Sequence, residues 1–206
     1  MKVLLINGSP NETGCTYTAL TLIAKALAAD GVETEIFWAG AKPIGGCIGC
    51  SQCKGKGRCV FDGVVNQLLD KAETADGFVF GSPVHFAGIS GNMKCLLDRA
   101  FCAGKDAFRY KPAAVAVSAR RAGTTASLDE LLKYPTINQM PVVSSGYWTM
   151  VHGQKPSEVL QDAEGCAVMD QLGHNMAWLL RCIEAGKQNG VAYPTDAPRP
   201  RTNFIR

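Results

Sequence analysis

"KVLLING", residues Lys2–Gly8, is a continuous apolar run closed by Asn-Gly. An apolar run without alternation, ended by a turn dipeptide, is the pattern of a strand buried on both faces of a parallel sheet. The polar loop "SPNETGCT" follows. From Tyr17 to Ala29 the pattern turns helical, with Leu20, Ile23, Ala24 and Leu27 on one face. Strand, polar turn and helix in that order form the first half of a βαβ unit.

The remainder repeats this alternation. "GVETEIFWA", "DGFVFGSP", "PAAVAVSA" and "PVVSSG" read as the second to fifth strands. Helical patterns fall at 64–75, in "SGNMKCLLDRAF", where Met93, Leu96, Leu97 and Ala100 cluster, and in "SLDELLKY". Ser127 is the expected cap of that last helix, with Glu130 completing a capping box. A final helix is expected from after Asp162 to about Lys187, burying Met169, Leu172, Met176, Leu179, Leu180 and Ile183. The alternation predicts an α/β fold: a doubly wound, five-stranded parallel sheet with helices on both faces, flavodoxin-like in type. Ligands of such sheets bind beyond the carboxyl ends of the strands, at the point where strand order reverses.

The chain has 206 residues, 47% apolar and 19% charged, which suits one packed domain and excludes a disordered chain. That domain is expected over residues 1–190. Residues 191–206, "VAYPTDAPRPRTNFIR", are Pro-rich without helical patterning and are expected to form a tail that docks on a neighbouring subunit. The net charge of +3 is too small to imply nucleic acid, and Arg199, Arg201 and Arg206 form only a loose basic patch. No apolar run approaches a membrane span, and the apolar start ends at the Asn7-Gly8 turn, too early for a secretory signal. The reading is cytoplasmic, with no nucleic acid and no membrane partner. Nine cysteines then read as thiols or ligands, not as a disulfide framework. Cys95, Cys166 and Cys182 lie in helical patterns and read as small core residues, while Cys102, at a helix end, is ambiguous.

Three loops end strands on one rim of the expected sheet. "GSPNETGCT" offers backbone N–H groups at a helix N-terminus, with Ser9, Thr13, Thr16 and Thr18 as hydroxyl donors. It is neither a dinucleotide-binding glycine pattern nor a Walker loop, because no lysine follows Gly14. Hydroxyls and amides without a lysine suit a monophosphate ester. "GSPVHFAGISGN" places His85 and Phe86 where they could flank a planar ring, although a lone aromatic is more often packed under a loop and a lone histidine more often structural. "SARRAGTT" supplies Arg120, Thr124 and Thr125, and Gly123 permits close backbone approach. One phosphate loop and two ring loops describe a site for flavin mononucleotide (FMN).

Between the second strand and the next helix lies "GGCIGCSQCKGKGRC", with Cys47, Cys50, Cys53 and Cys59 in C-x2-C-x2-C-x5-C spacing. C-x2-C-x2-C wraps backbone around an iron–sulfur cubane, and a nearby fourth cysteine completes four thiolates. Gly55 and Gly57 would let the chain fold back to it. The same set could hold zinc, though structural zinc sites more often pair two separate knuckles. It could also remain as free or redox-active thiols beside the flavin.

"INGSPNETGCT", "GGCIGCSQCKGKGRC" and "GSPVHFAGISGNMKCLLDRA" resemble the NADPH-dependent FMN reductase and iron–sulfur flavoprotein group of the flavodoxin-like superfamily, from Met1 to about Lys187 and again at the closing "TNFIR". The resemblance implies FMN with its phosphate on Ser9, Asn11 and Thr16. Pro83, Val84, His85 and Phe86 would line the isoalloxazine, with Arg120 to Thr124, Gly123 among them, at its pyrimidine side or rim. It also implies [4Fe-4S] as the candidate group on Cys47, Cys50, Cys53 and Cys59. The chain departs from the group's pattern where Asn11 replaces a frequent arginine, where Cys15 replaces an asparagine or serine, and where His85 replaces a frequent tyrosine.

The leading functional expectation is an oxidoreductase in which NAD(P)H passes hydride to FMN and the flavin reduces a flavin, quinone or other small acceptor, with no protein acid or base assigned. The alternative is an electron carrier with FMN and a [4Fe-4S] cluster, exchanging electrons with a ferredoxin-like redox protein. A third reading is a flavin-binding regulatory module without turnover. Flavoproteins of this type are commonly homodimers or tetramers.

Overall fold

The computed structural model describes residues 1–198, 200 and 202. The expected basic patch of Arg199, Arg201 and Arg206, and residues 203–206 of the closing "TNFIR", lie outside the described residues. The strands are β1 (Lys2–Asn7), β2 (Glu33–Trp38), β3 (Gly77–His85), β4 (Gly88–Ile89), β5 (Ala113–Ala119) and β6 (Met150–His152). The helices are α1 (Cys15–Ala29), α2 (Val64–Thr74), α3 (Gly91–Gly104), α4 (Thr124–Ile137), α5 (Pro156–Val159) and α6 (Ala163–Gln188). The order β2-β1-β3-β5-β6 is parallel throughout, and β4 folds back antiparallel on the end of β3. This is the doubly wound flavodoxin-like order, with its switch point between β1 and β3.

Period-two alternation divides the buried strands between two cores. Leu4, Ile6, Phe78, Phe80, Val115 and Val117 face α2, α3 and α4. Val3, Leu5, Val79, Ala114, Ala116 and Val151 face α1 and α6. Both faces of the central strands are therefore covered, which is why their sequences are apolar without a polar beat. Phe78, Phe80, Phe101 and Phe108 stack and tilt against one another on the first side, with ring centroids 4.6–6.4 Å apart.

Four expectations need correction. The fifth strand of the parallel order is β6, Met150–His152, not "PVVSSG"; of the latter only Val142 bridges Ala113 before the chain turns away. Ser-Ser-Gly cannot continue the ladder, and the pairing passes to Met150 and Val151 beside Val117 and Ser118. Helix α4 starts at Thr124 with Gly123 as its N-cap, so Ser127 lies inside it and donates Oγ–H to the Gly123 carbonyl (2.9 Å). Glu130 does not close a capping box; its carboxylate accepts the Ile89 N–H (2.9 Å) and pins β4. Cys182 is exposed on α6, and Cys95 and Cys166 are only partly buried.

Beyond α6 the described tail returns over its own chain. Tyr193 stacks on Tyr110 with centroids 5.2 Å apart, and Arg109 pairs with Asp196. Among the described residues, no helix is long and apolar enough to cross a membrane.

Candidate functional site

The carboxyl ends of β1, β3 and β5 gather the three loops at the switch point. Asn7, fully buried at the end of β1, organises the first of them. Its Oδ1 accepts the Ser9 N–H (3.0 Å) and its Nδ2 donates to the Glu12 carbonyl (2.9 Å), so one amide side chain closes the turn from both ends. Ser9 Oγ accepts the Asn11 N–H (3.1 Å), which leaves its hydroxyl proton to donate elsewhere. From β2, Trp38 Nε1–H donates to the Ser9 carbonyl (2.8 Å). Helix α1 begins at Cys15 with no side-chain cap and no acidic residue in its first turn. Its free N–H groups and the positive end of its dipole are thus left for an anion.

Not every hydroxyl expected on this loop points outward. Thr16 is buried, and its Oγ1 shares a 2.8 Å hydrogen bond with Ser118 Oγ at the end of β5. Thr18 Oγ1 donates back to the Gly14 carbonyl (3.2 Å). Asn11 and Thr13 are exposed beside the helix start. Cys15 Sγ–H donates to the Gly153 carbonyl (3.5 Å), and burial holds its pKa above the usual thiol value.

The second loop is the β3–β4 hairpin. Pro83 and Val84 are half-buried, and His85, Phe86 and Ala87 form its exposed tip. Phe86 and Ala87 adopt positive φ (50° and 59°). Phe86 is wholly exposed, so it is not an aromatic packed under a loop, and His85 likewise sits on the surface. The hairpin is held from behind: Ser90 N–H donates to Ser82 Oγ (3.0 Å) and Ser90 Oγ donates to the Gly8 carbonyl (2.6 Å). That second bond ties it to the first loop.

In the third loop Arg120 is exposed, Thr124 is buried in the first turn of α4, and Gly123 has φ +94°. A β-carbon at Gly123 would lie 3.0 Å from Val84 Cγ1 and closer still to Ala87, so the third loop rests directly on the hairpin. Helix α4 also starts without a side-chain cap. One rim therefore presents two uncapped helix N-termini, free hydroxyls, a cation at Arg120 and an exposed aromatic. This combination fits a phosphorylated planar ring such as FMN.

The cysteine segment descends from the rim along α3. Cys47, Cys50, Cys53, Cys59 and Cys102 line one cavity with Arg99 and Phe61. Cys53 Sγ–H donates to the Cys102 carbonyl (3.6 Å), and burial, with the Cys47 thiol beside it, pushes the Cys102 pKa up. The Cys59 backbone is clamped by Asn66, which accepts its N–H (2.9 Å) and donates to its carbonyl (3.0 Å). All nine cysteines are free thiols. A sulfur-only donor set on a short exposed loop fits an iron–sulfur cluster chemically. Among the described residues, no three His, Cys, Asp or Glu side chains converge on a position for a single metal ion. Cys102 lies about 18 Å along α3 from Ser90 at the rim, at 1.5 Å per residue.

Residues 1–155 match the family described as NADPH-dependent FMN reductase. The chain belongs to this family. It is 32% identical over 192 residues to an iron–sulfur flavoprotein of Methanocaldococcus jannaschii, covering 89% of this chain and 100% of that one. Among solved structures it is similar to RosB with a bound intermediate, 8-demethyl-8-formylriboflavin-5'-phosphate, at TM-score 0.68 and 15% identity, covering 100% of this chain and 92% of that one. A flavodoxin from the Archaea superposes at TM-score 0.60 and 14% identity, covering 88% of this chain and 99% of that one. This FMN reductase family member is a flavin oxidoreductase with FMN as its cofactor.

Several residues that build its rim carried weak signals in the sequence. Asn7 was visible only as half of a turn dipeptide, and Ser118 as one polar residue in an alanine–valine strand. Ser90, Trp38 and Glu130 act through contacts 29 to 82 residues away in the chain, which no local pattern displays. In this FMN reductase family member, Cys102 joins the cysteine cavity from α3, 43 residues beyond Cys59 in number, so loop spacing could not place it there.

Proposed function

We propose that this protein is an NAD(P)H oxidoreductase whose rim holds FMN, with hydride passing from the nicotinamide to the flavin and on to a flavin, a quinone or another small acceptor. The observation that carries this reading is the meeting of the three loops at the β1/β3 switch point. The FMN phosphate is assigned to the uncapped start of α1, with Ser9, Asn11, Thr16 and Thr18 around it. Pro83, Val84, His85 and Phe86 are assigned to the ring, with Arg120, Gly123 and Thr124 at its pyrimidine side.

FMN supplies the redox chemistry when bound. The chain's residues bind and orient. The α1 amides favour a dianionic phosphate, and Ser9 offers the proton left free by its bond from Asn11. Phe86 covers apolar surface and excludes water from the ring face. Arg120 stabilises negative charge that develops at the rim during reduction. Supplying the protein with FMN and either NADPH or NADH, plus a quinone or free FMN as acceptor, tests the reading. Steady nicotinamide oxidation is expected; near-zero turnover with both nicotinamides would refute it.

The cysteine cavity favours a second reading, an electron carrier with a [4Fe-4S] cluster on Cys47, Cys50, Cys53 and Cys59. Its support is the five-thiol lining and the similarity to a protein named an iron–sulfur flavoprotein. The loop is exposed, so a ferredoxin-like redox protein could approach it. Iron and acid-labile sulfide assayed per chain after anaerobic purification separate the readings: cluster stoichiometry supports the carrier, and their absence removes it. Nine free thiols suit a reducing compartment such as the cytoplasm. Exposed Trp148 and Trp178 offer apolar surface for a homodimer or tetramer, which sedimentation would test.

A further inference from the structure

Arg99 on α3 is 8% exposed, yet among the described residues no carboxylate pairs with it. Its Nη1 donates to the Gly45 carbonyl (3.2 Å) and its Nη2 to the Phe61 carbonyl (2.7 Å). Its Nε and Nη2 both reach Cys59 Sγ at 3.4 Å. The Phe61 ring lies 5.8 Å from the guanidinium carbon. Carbonyls and an aromatic face supply dipoles but no negative charge. A guanidinium held out of water without an anion is costly, and Arg99 itself lines the thiol cavity, where an anion would offset that cost.

We infer that Arg99 is the built-in counter-charge of an anionic sulfur-ligated cluster in this cavity, holding Cys59 by a two-pronged hydrogen bond. The inference rests on the cluster reading above and deepens it, by naming a positioning residue outside the cysteine motif. A cluster on four thiolates is negative, and reduction adds another negative charge. Arg99 lies against one of its sulfurs, so it favours the reduced form; net charge and hydrogen bonds to sulfur are the levers that set cluster potentials. Arg99 comes from α3 while the cysteines come from the β2–α2 segment, so a bound cluster also ties loop to helix.

The test uses the full chain, reconstituted anaerobically with ferrous iron and sulfide. Iron and sulfide per chain and the cluster midpoint potential are measured for wild type, Arg99→Met, Arg99→Gln and Arg99→Lys, with FMN content as the check on folding. Met and Gln remove the charge and should give a more negative midpoint potential and lower cluster retention. Lys keeps the charge and should return the potential towards wild type. Unchanged potential and retention in the Met and Gln variants, with a cluster present in wild type, would overturn the inference and leave the cluster reading standing. Loss of FMN binding and fold in both neutral variants before iron is added would also overturn it, marking Arg99 as a structural residue of the metal-free chain. No iron or sulfide in wild type would remove the cluster reading itself.

Discussion

Gly123 approaches Ala87 so closely that a β-carbon on the glycine would stand 2.6 Å from the alanine Cα. The glycine also has φ +94°, where an L side chain costs about 1–2 kcal/mol. Gly123→Ala must therefore push the hairpin tip away from the third loop. The expected outcome is an FMN dissociation constant raised about tenfold or more, since about 1.4 kcal/mol corresponds to tenfold. Titration of the flavin-free protein with FMN, followed by fluorescence quenching, reads it directly. Secondary structure should be retained, because the strain is confined to the rim.

Thr16 and Ser118 are both buried and satisfy each other across the start of α1 and the end of β5. Thr16→Val keeps the shape but leaves Ser118 Oγ without its partner. Denaturant unfolding should show a loss of about 1–3 kcal/mol. Adding Ser118→Ala should recover part of that loss, because removing both polar groups leaves nothing unsatisfied. A double variant less stable than the single one by the full cost of a second lesion would contradict the pairing.

Phe86 is 107% exposed at the hairpin tip and packs against nothing in its own chain that stabilises the fold. Phe86→Ala should change unfolding free energy by no more than about 0.5 kcal/mol. FMN affinity or the KM for nicotinamide should nevertheless worsen. A change in stability without a change in either binding constant would assign Phe86 to the fold instead of the site.

His174 on α6 and Asp30 at the end of α1 meet at 2.7 Å, with Asp170 and Arg181 beside them. The hydrogen bond that His174 donates to the Asp30 carboxylate raises the His174 pKa above 6.5 and lowers the Asp30 pKa below 3.8. The histidine's contribution is complete below its unfolded value of 6.5 and is lost as pH rises through its raised folded value. The aspartate's contribution is complete above 3.8 and is lost as pH falls through its lowered folded value. The pair therefore stabilises most between those limits. Thermal unfolding of wild type and His174→Gln should differ most below the unfolded histidine value of 6.5 and converge as pH rises through the raised folded value, where the imidazole loses its proton. A difference that grows with rising pH would contradict the assignment.

The sheet was legible because its strands are buried on both faces, and such burial leaves a signature in consecutive residues such as Val3, Leu4, Leu5 and Ile6. "PVVSSG" misled because it carries two valines, of which Val143 is buried, yet its pairing with the sheet ends at the single bridge of Val142 to Ala113, which the Val143 N–H closes on the Ala113 carbonyl (2.8 Å). Met150–His152 is too short to show a pattern of its own, and its pairing with β5 is decided by tertiary contact. The same limit applies at the rim. Ser9, Asn11 and the hairpin could be read from loops that follow strands, but the bonds that join those loops come from Ser90, Ser118 and Trp38, each remote in the chain. Ser127 looked like a cap because it stands three residues before Glu130, but Gly123 at positive φ starts the helix a turn earlier.

The most direct test of the central claim is a single-turnover measurement. The FMN-loaded protein is mixed anaerobically with a small excess of NADPH, then separately with NADH, and the flavin's visible absorption band is followed. About one FMN per chain and rapid, complete bleaching with at least one nicotinamide are expected, slowed in Phe86→Ala and Gly123→Ala. A bound flavin that dithionite bleaches but neither nicotinamide reduces would contradict the claim.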